Sequence, residues 1–227
     1  MNIKKILIGT IASALMLGGV ATSAFAVAPT VPKVPTAPGQ NKIVCEDGTH
    51  DYPGIYGGVC TLPSKGAKGT ATLDNTVIVG DYDYAAVFIN NTTLSGQVLS
   101  KVTQLGYNYS GNISPLPGDL SLNVPIDTNG DNKNDAYLFI DAYYCPGVAG
   151  NVDVINNSNC GIYFNGVDFY ANWAAIVAAH SAWKVGTLPA DDLSVGTLPF
   201  IIAERVNSTE PPALWTVGNI TLGKAGK

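Results

Sequence analysis

Between the apolar runs Leu122–Ile126 and Ala136–Ala142 lies the stretch Asp127-Thr128-Asn129-Gly130-Asp131-Asn132-Lys133-Asn134-Asp135. Leu122, Val124 and Ile126 alternate with polar residues or Pro, and Tyr137, Phe139 and Tyr143 recur at period two. Alternation of this kind belongs to strands, so both flanks read as strands and the stretch between them as the turn of a hairpin. That turn fixes the pairing of its two strands and starts a β architecture around them.

Oxygen-bearing side chains fall at the first, third, fifth and ninth positions of the turn: Asp127, Asn129, Asp131 and Asp135. Calcium is a hard cation that gathers roughly six to eight oxygens at about 2.3–2.6 Å, and short loops wrap it in this order. The backbone carbonyl of Lys133 stands where such loops supply a further oxygen. Three Asp against one Lys leave the loop negative, so its carboxylates repel one another without a cation. The spacing shares the D-x-[DN]-x-[DN]-G portion of the EF-hand pattern but departs from it twice. Asn132 replaces the usual Gly, in a position where Asn tolerates a left-handed backbone. Leu138 replaces the bidentate Glu. The expectation is a calcium-bound turn between strands. A polar turn without metal is the alternative, because Asp, Asn and Gly favour turns in any case.

The chain before this point falls into segments. Residues 1–26 have Lys4 and Lys5, an apolar stretch over Ile6–Val20 and a small-x-small Ala24-Phe25-Ala26, the pattern of a cleaved signal peptide. Residues 27–41 are Pro-rich and read as an extended linker. Residues 42–227 then form one domain, long enough for a substantial core. The chain is expected outside the cell, at its surface or in the periplasm, with no membrane insertion after cleavage. It carries 12 basic and 17 acidic residues. The leader holds two of the lysines and no acid, so the mature chain is still more acidic and nucleic acid is a poor partner.

Cys45 and Cys60 are spaced like Cys145 and Cys160. Four cysteines allow three connectivities. Export permits disulfides, no C-x-x-C suggests metal, and the two local pairs are expected, each closing a surface loop. The remaining chain offers short β patterns: Thr70–Val79 with its Val77-Ile78-Val79 run, Tyr84–Ile89, the end of Leu94–Tyr109, Cys160–Val167, Trp183–Thr187, Phe200–Ala203 and Trp215–Leu222. One segment, Asp168–His180, places Phe169, Trp173, Ile176, Val177 and His180 at helical spacing, with Asp168 or Asn172 as cap. The fragment VGTLP occurs at Val185–Pro189 and Val195–Pro199, too short for a structural repeat. The expected fold is all-β: a jelly-roll-like antiparallel β-sandwich with one short α-helix.

The order of hairpin, acidic loop, cysteine-bearing loop, short helix and closing Trp215-Thr216-Val217-Gly218-Asn219-Ile220 strand resembles secreted bacterial jelly-roll sandwiches, carbohydrate-binding modules among them. That resemblance implies a structural calcium, with Asp127, Asn129, Asp131 and Asp135 as ligands that stiffen the turn; fold-level likeness does not fix function.

Candidate chemistry is sparse. Neither G-x-S-x-G nor H-E-x-x-H occurs. His50 falls in a cysteine-bounded loop and His180 on the apolar helical face. Glu204 with Asp141 could act across a sugar bond, but nothing in the sequence joins them. No catalytic set is assigned. Flat aromatic rings stack on sugars, and Tyr82, Tyr84 and Tyr144 are the candidate ligand-binding residues. Trp173, Trp183 and Trp215 read as core. The functional expectation is binding of carbohydrate or a cell-surface partner. The alternatives are a structural or adhesive surface protein and, third, a glycan-active hydrolase. An exposed aromatic platform on one sheet would favour sugar binding; a flat polar surface would favour the structural role.

Overall fold

The computed structural model describes residues 42–63, 69–90, 94–146, 150–186, 198–205 and 209–223. The leader, the Pro-rich linker and most of the two VGTLP fragments lie outside the described residues. Two antiparallel sheets face each other. The eight-stranded sheet runs β1 (Lys42–Asp47), β4 (Asp83–Asn90), β12 (Phe200–Arg205), β6 (Leu120–Asp127), β7 (Ala136–Asp141), β9 (Ile162–Phe164) and β10 (Asp168–Tyr170). A short β11 (Lys184–Val185) pairs with β6 beside this path. The five-stranded sheet runs β2 (Val59–Thr61), β3 (Ala71–Asp74), β13 (Leu214–Gly223), β5 (Gln104–Gly111) and β8 (Asn151–Asp153). The fold is the expected all-β sandwich.

Period-two alternation decides which residues enter the core. Leu120, Leu122, Val124 and Ile126 on β6 face Leu138 and Ile140 on β7, Ile201 and Ala203 on β12, and Leu73, Trp215 and Val217 from the other sheet, all buried in one cluster. Each large side chain there contributes about 1.5–3 kcal/mol by leaving water. Strand β6 is buried along its whole length, on both faces. Its outward residues are Ser121, Asn123, Pro125 and Asp127, small groups set among the larger side chains of neighbouring strands. Trp173 and Trp215 are core residues, as expected. Trp183 is half-buried, stacked by His180 at 3.6 Å. His180 also hydrogen-bonds the Tyr170 hydroxyl at 2.6 Å, so it is a satisfied structural histidine.

Several local expectations are corrected. The helix is α2 (Trp173–Ala179), capped by Asn172, whose side chain accepts from Ala175 N; a four-residue α1 (Gly48–Asp51) precedes it in the chain. Asp168–Tyr170 is strand β10, because the Asn165-Gly166 turn, both residues at positive φ, folds it back on β9. Val77, Ile78 and Val79 are in no strand and are 43%, 48% and 44% exposed. Strand β3 ends at Asp74, whose carboxylate takes the Thr76 N–H and hydroxyl and turns the chain.

The disulfides are Cys45–Cys60 and Cys145–Cys160. The first does more than close a loop. Cys45 lies in β1 of the eight-stranded sheet and Cys60 in β2 of the five-stranded sheet, so the bond ties the two layers together. Beside it Asp47 accepts from His50 N, Thr49 Oγ1 and Cys60 N, holding α1 against both strands.

At the same end of the sandwich, Asp83 on β4 and Arg205 on β12 are cross-strand partners at 3.2 Å, with side chains 0% and 3% exposed. Asp83 Oδ1 also accepts from Gly57 N and Val79 N, and Arg205 Nε donates to the Glu210 carbonyl. Gly57 has to be glycine: a Cβ there would lie 2.0 Å from the Val77 carbonyl oxygen. Removing one partner of a buried ion pair strands the other charge in low dielectric. Arg205→Met is therefore expected to destabilise the fold by about 3–5 kcal/mol, read from the midpoint of urea unfolding. A midpoint unchanged from the parent would mean that the pair is solvated and dispensable.

Candidate functional site

The β6–β7 hairpin carries the acidic loop. Register Ile126↔Ala136 and the Asp135 N–H to Ile126 carbonyl bond, 2.9 Å, close its neck. Asp127 is 1% exposed and organises the turn from within. Its Oδ1 accepts from Gly130 N at 2.6 Å and Asn129 N at 3.2 Å, and its Oδ2 from Asn132 N at 3.0 Å. Asn129 Oδ1 accepts from Asp131 N, and Asp131 Oδ1 from Lys133 N. Gly130 and Asn132 take positive φ, 85° and 65°, as expected for Asn at the sixth position.

This wrapping turns the carboxylates inward. One oxygen from each of Asp127, Asp131 and Asp135 lies within 4.8 Å of the others. Asp135 accepts from Thr128 N and Oγ1, and these bonds, with the charge of Lys133, hold its carboxyl below the usual range. Asn129 reaches Asp135 Oδ1 through its own Nδ2 at 3.3 Å. Three hard oxygen donors brought to one spot form a group that could hold a metal ion. Asn129 and Lys133 sit in the same loop, the latter with its N–H committed to Asp131.

The three candidate ligand tyrosines divide between two places. Tyr82 and Tyr84 join Tyr52 and Tyr56 near the start of β4, with ring centroids 5.3–6.2 Å apart. Their hydroxyls are engaged: Tyr82 donates to Glu204 at 2.6 Å and Tyr84 to Asp51 at 3.0 Å. Burial and these carboxylates push both phenols well above their ordinary range. Tyr144 lies at the opposite edge of the same sheet. It packs against Tyr143 at 4.9 Å, Tyr163 at 5.5 Å and Phe169 at 6.4 Å. Phe169 is 53% exposed and Tyr143 49%. Gly161 makes room for this group, since a Cβ there would come within 2.6 Å of the Phe169 ring.

Register links the two edges. Val44, Phe88, Phe200, Asn123, Phe139, Tyr163 and Phe169 are successive cross-strand partners on the outward face of the eight-stranded sheet. At about 4.8 Å per strand this row spans about 29 Å. The outward face of the other sheet is polar, with Thr61, Thr72, Thr216 and Ser110 in successive register. A shallow depression there is lined by Thr70, Asn108 and Gly218 among others. Sequence reasoning missed Phe169 and Tyr163 as members of the Tyr144 group. The Asn165-Gly166 hairpin signal could have placed Phe169 and Tyr163 side by side.

Carboxyls gather on the same face. Glu204 on β12 and Asp141 at the end of β7 share this outward face, and the charge of Glu204 adds to the upward push on Asp141. Burial raises both to about 7. Asp119 is raised to about 6 by burial, and its carbonyl accepts from Glu204 N. Glu46 on β1 is raised to about 8 by burial and by Asp51, to which it is hydrogen-bonded. The fold thus puts Glu204 and Asp141, which the sequence left apart, on one face of the sheet.

Comparison of the chain with known protein families and with curated proteins finds no match.

These raised carboxyls set the pH response. In the unfolded chain they titrate near 4; folded, they hold their protons to higher pH. The native state therefore binds more protons across this interval, and stability falls as pH rises through it. With chelator present, the melting temperature is expected to be higher at pH 5 than at pH 8. Asp135 acts in the opposite direction, but only below its ordinary range near pH 4. Glu204→Gln, which cannot ionise yet still accepts from Tyr82, is expected to flatten the slope; a slope unchanged in this variant would mean that Glu204 is ionised when folded.

Proposed function

We propose that this protein is an extracellular, calcium-stabilised, non-catalytic domain that binds carbohydrate. The two disulfides support a non-reducing environment, and no helix among the described residues is long and apolar enough to cross a membrane. The observation that carries the binding role is the Tyr143–Tyr144–Tyr163–Phe169 platform. Its rings are held by the β9–β10 hairpin and by the turn before Cys145, and two of them are about half exposed. Rigid exposed rings give a sugar face a large contact at low entropic cost. Phe139, half-buried and the cross-strand partner of Tyr163, extends the aromatic surface one strand further.

A glycan array followed by affinity electrophoresis on polysaccharides tests this. The expected result is retardation by at least one polysaccharide, weakened about tenfold, or about 1.4 kcal/mol, in Phe169→Ala. No binding in either assay would favour the structural or adhesive role and the polar face of the other sheet. A second reading has its own observation, the shared face of Glu204 and Asp141. Release of reducing ends by the pure protein, lost in Glu204→Gln, would establish glycan hydrolysis in place of simple binding.

Calcium at Asp127, Asn129, Asp131, Asp135 and the Lys133 carbonyl acts here by stiffening the hairpin. At a concentration one hundred times the dissociation constant it would add about 2.7 kcal/mol to folded stability. Chelation is expected to lower the melting temperature, and calcium to restore it. Magnesium should substitute poorly, because it favours a tighter octahedron and keeps its water. Asp131→Ala is expected to abolish the response. A melting curve indifferent to chelator and to calcium, on protein shown to be metal-free, would leave an ordinary polar turn.

A further inference from the structure

The second tyrosine cluster has a different chemistry from the platform. Tyr52 and Tyr56 come from the loop after α1, and Tyr82 and Tyr84 from the approach to β4. Tyr56 is the hub, 5.3 Å from Tyr52, 5.8 Å from Tyr82 and 6.2 Å from Tyr84. Tyr52 and Tyr82 each stand at nearly a right angle to it, 88° and 90°. Perpendicular rings put two π faces around one corner. A cation within about 6 Å of both centroids is attracted by both quadrupoles.

Charge around the corner has the complementary sign. Asp51 and Glu204 accept the hydroxyls of Tyr84 and Tyr82, which makes those rings richer in electrons. Glu46 bonds Asp51, a pair of like groups with a proton between them. Arg205, next to Glu204 in the chain, points to the opposite face and is spent on Asp83. The rim is apolar: Tyr52, Ile55, Val77, Ile78 and Val79 are 38%, 60%, 43%, 48% and 44% exposed. The loops that carry this rim touch, since a Cβ on Gly80 would meet the Ile55 carbonyl at 3.0 Å.

From this we infer that Tyr52, Tyr56, Tyr82 and Tyr84, with Asp51, Glu46 and Glu204 behind them, form a binding site for an alkylammonium group. The rings take the positive nitrogen, with the Asp51–Glu46 carboxyl pair as its countercharge, and the Ile55 and Val77–Val79 rim takes the alkyl carrier. A calcium ion is a poorer occupant, because ring carbons rather than oxygens line the corner. A neutral sugar is poorer too, because it leaves the carboxyl pair without a countercharge. The site does not rest on the glycan reading; the Tyr144 platform lies at the other edge of the sheet.

Titration calorimetry on the whole folded protein tests it with paired probes. Choline is compared with its neutral isostere 3,3-dimethylbutan-1-ol, and glucosamine with N-acetylglucosamine. The expected result is saturable binding of at least one cation, about tenfold or more above its neutral partner; which cation binds tighter tells a quaternary ammonium carrier from an amino-sugar one. Tyr56→Leu is expected to weaken it about tenfold. Asp51→Asn removes the charge but can still accept from Tyr84, so it tests the site should the Tyr56 variant misfold; it is expected to weaken the cation and leave the neutral partner unchanged. Phe169→Ala is expected to leave cation binding intact. Equal binding of cation and neutral partner, binding of neither cation, an unaffected Asp51→Asn, or loss in Phe169→Ala would each overturn the inference.

Discussion

The buried Asp83–Arg205 pair is where the sandwich holds together the parts that lie outside its sheets. Asp83 closes the β4 end of a cross-strand pair and also collects the Gly57 and Val79 amides. Arg205 collects the Glu210 carbonyl. Two tyrosine-bearing loops, which also touch one another, and the backbone at Glu210 are thus fixed to one ion pair. The pair sits on the inward side of β4 and β12, while Tyr84 and Glu204, one residue along each strand, face outward. Alternation lets a single stretch of two strands anchor loops on one face and present chemistry on the other.

The two outward faces have opposite characters for a reason that begins in composition along the strands. On the eight-stranded sheet the outward positions of β4, β12 and β7 are filled by Phe88, Phe200, Tyr137, Phe139 and carboxyls, while β6 offers Ser121 and Asn123. Large side chains from both sides close over these small ones, and β6 becomes buried on both faces. On the five-stranded sheet the outward positions are mainly Thr, Ser and Asn, which stay solvated, with Leu214 exposed among them. Both of the surfaces that would separate sugar binding from a structural role are present in one molecule, on different sheets.

Much of this was legible in the sequence because it is local. The alternation of Leu122–Ile126, the oxygens of Asp127–Asp135, the left-handed Asn132 and the Asn172 cap each depend on neighbours a few positions away. Where the reading went astray, a nearby signal was overridden by a distant partner or by a turn. Phe169 has helical spacing to Trp173, yet the Asn165-Gly166 turn claims it for β10. Val77–Val79 has high strand propensity, but Asp74 ends its strand and Asp83 holds its backbone in a loop. The candidate ligand residues were the least legible. Tyr82 meets Glu204 across 122 positions of chain, a contact that only the sheet order β1-β4-β12-β6 creates.

The bond between Cys45 and Cys60 has a mechanical consequence. Strand β1 is the first described strand and lies at the rim of its sheet, held along one side by β4. Such a strand is the natural place for a sheet to unzip when the chain is pulled from its N-terminal side, one pair of hydrogen bonds at a time. Here the unzipping meets a covalent stop at Cys45, after Lys42, Ile43 and Val44 have come away. Beyond that point tension passes through sulfur into β2 and is shared by both layers. A domain hung by its N-terminal end would bear load as one block, with its aromatic face undisturbed.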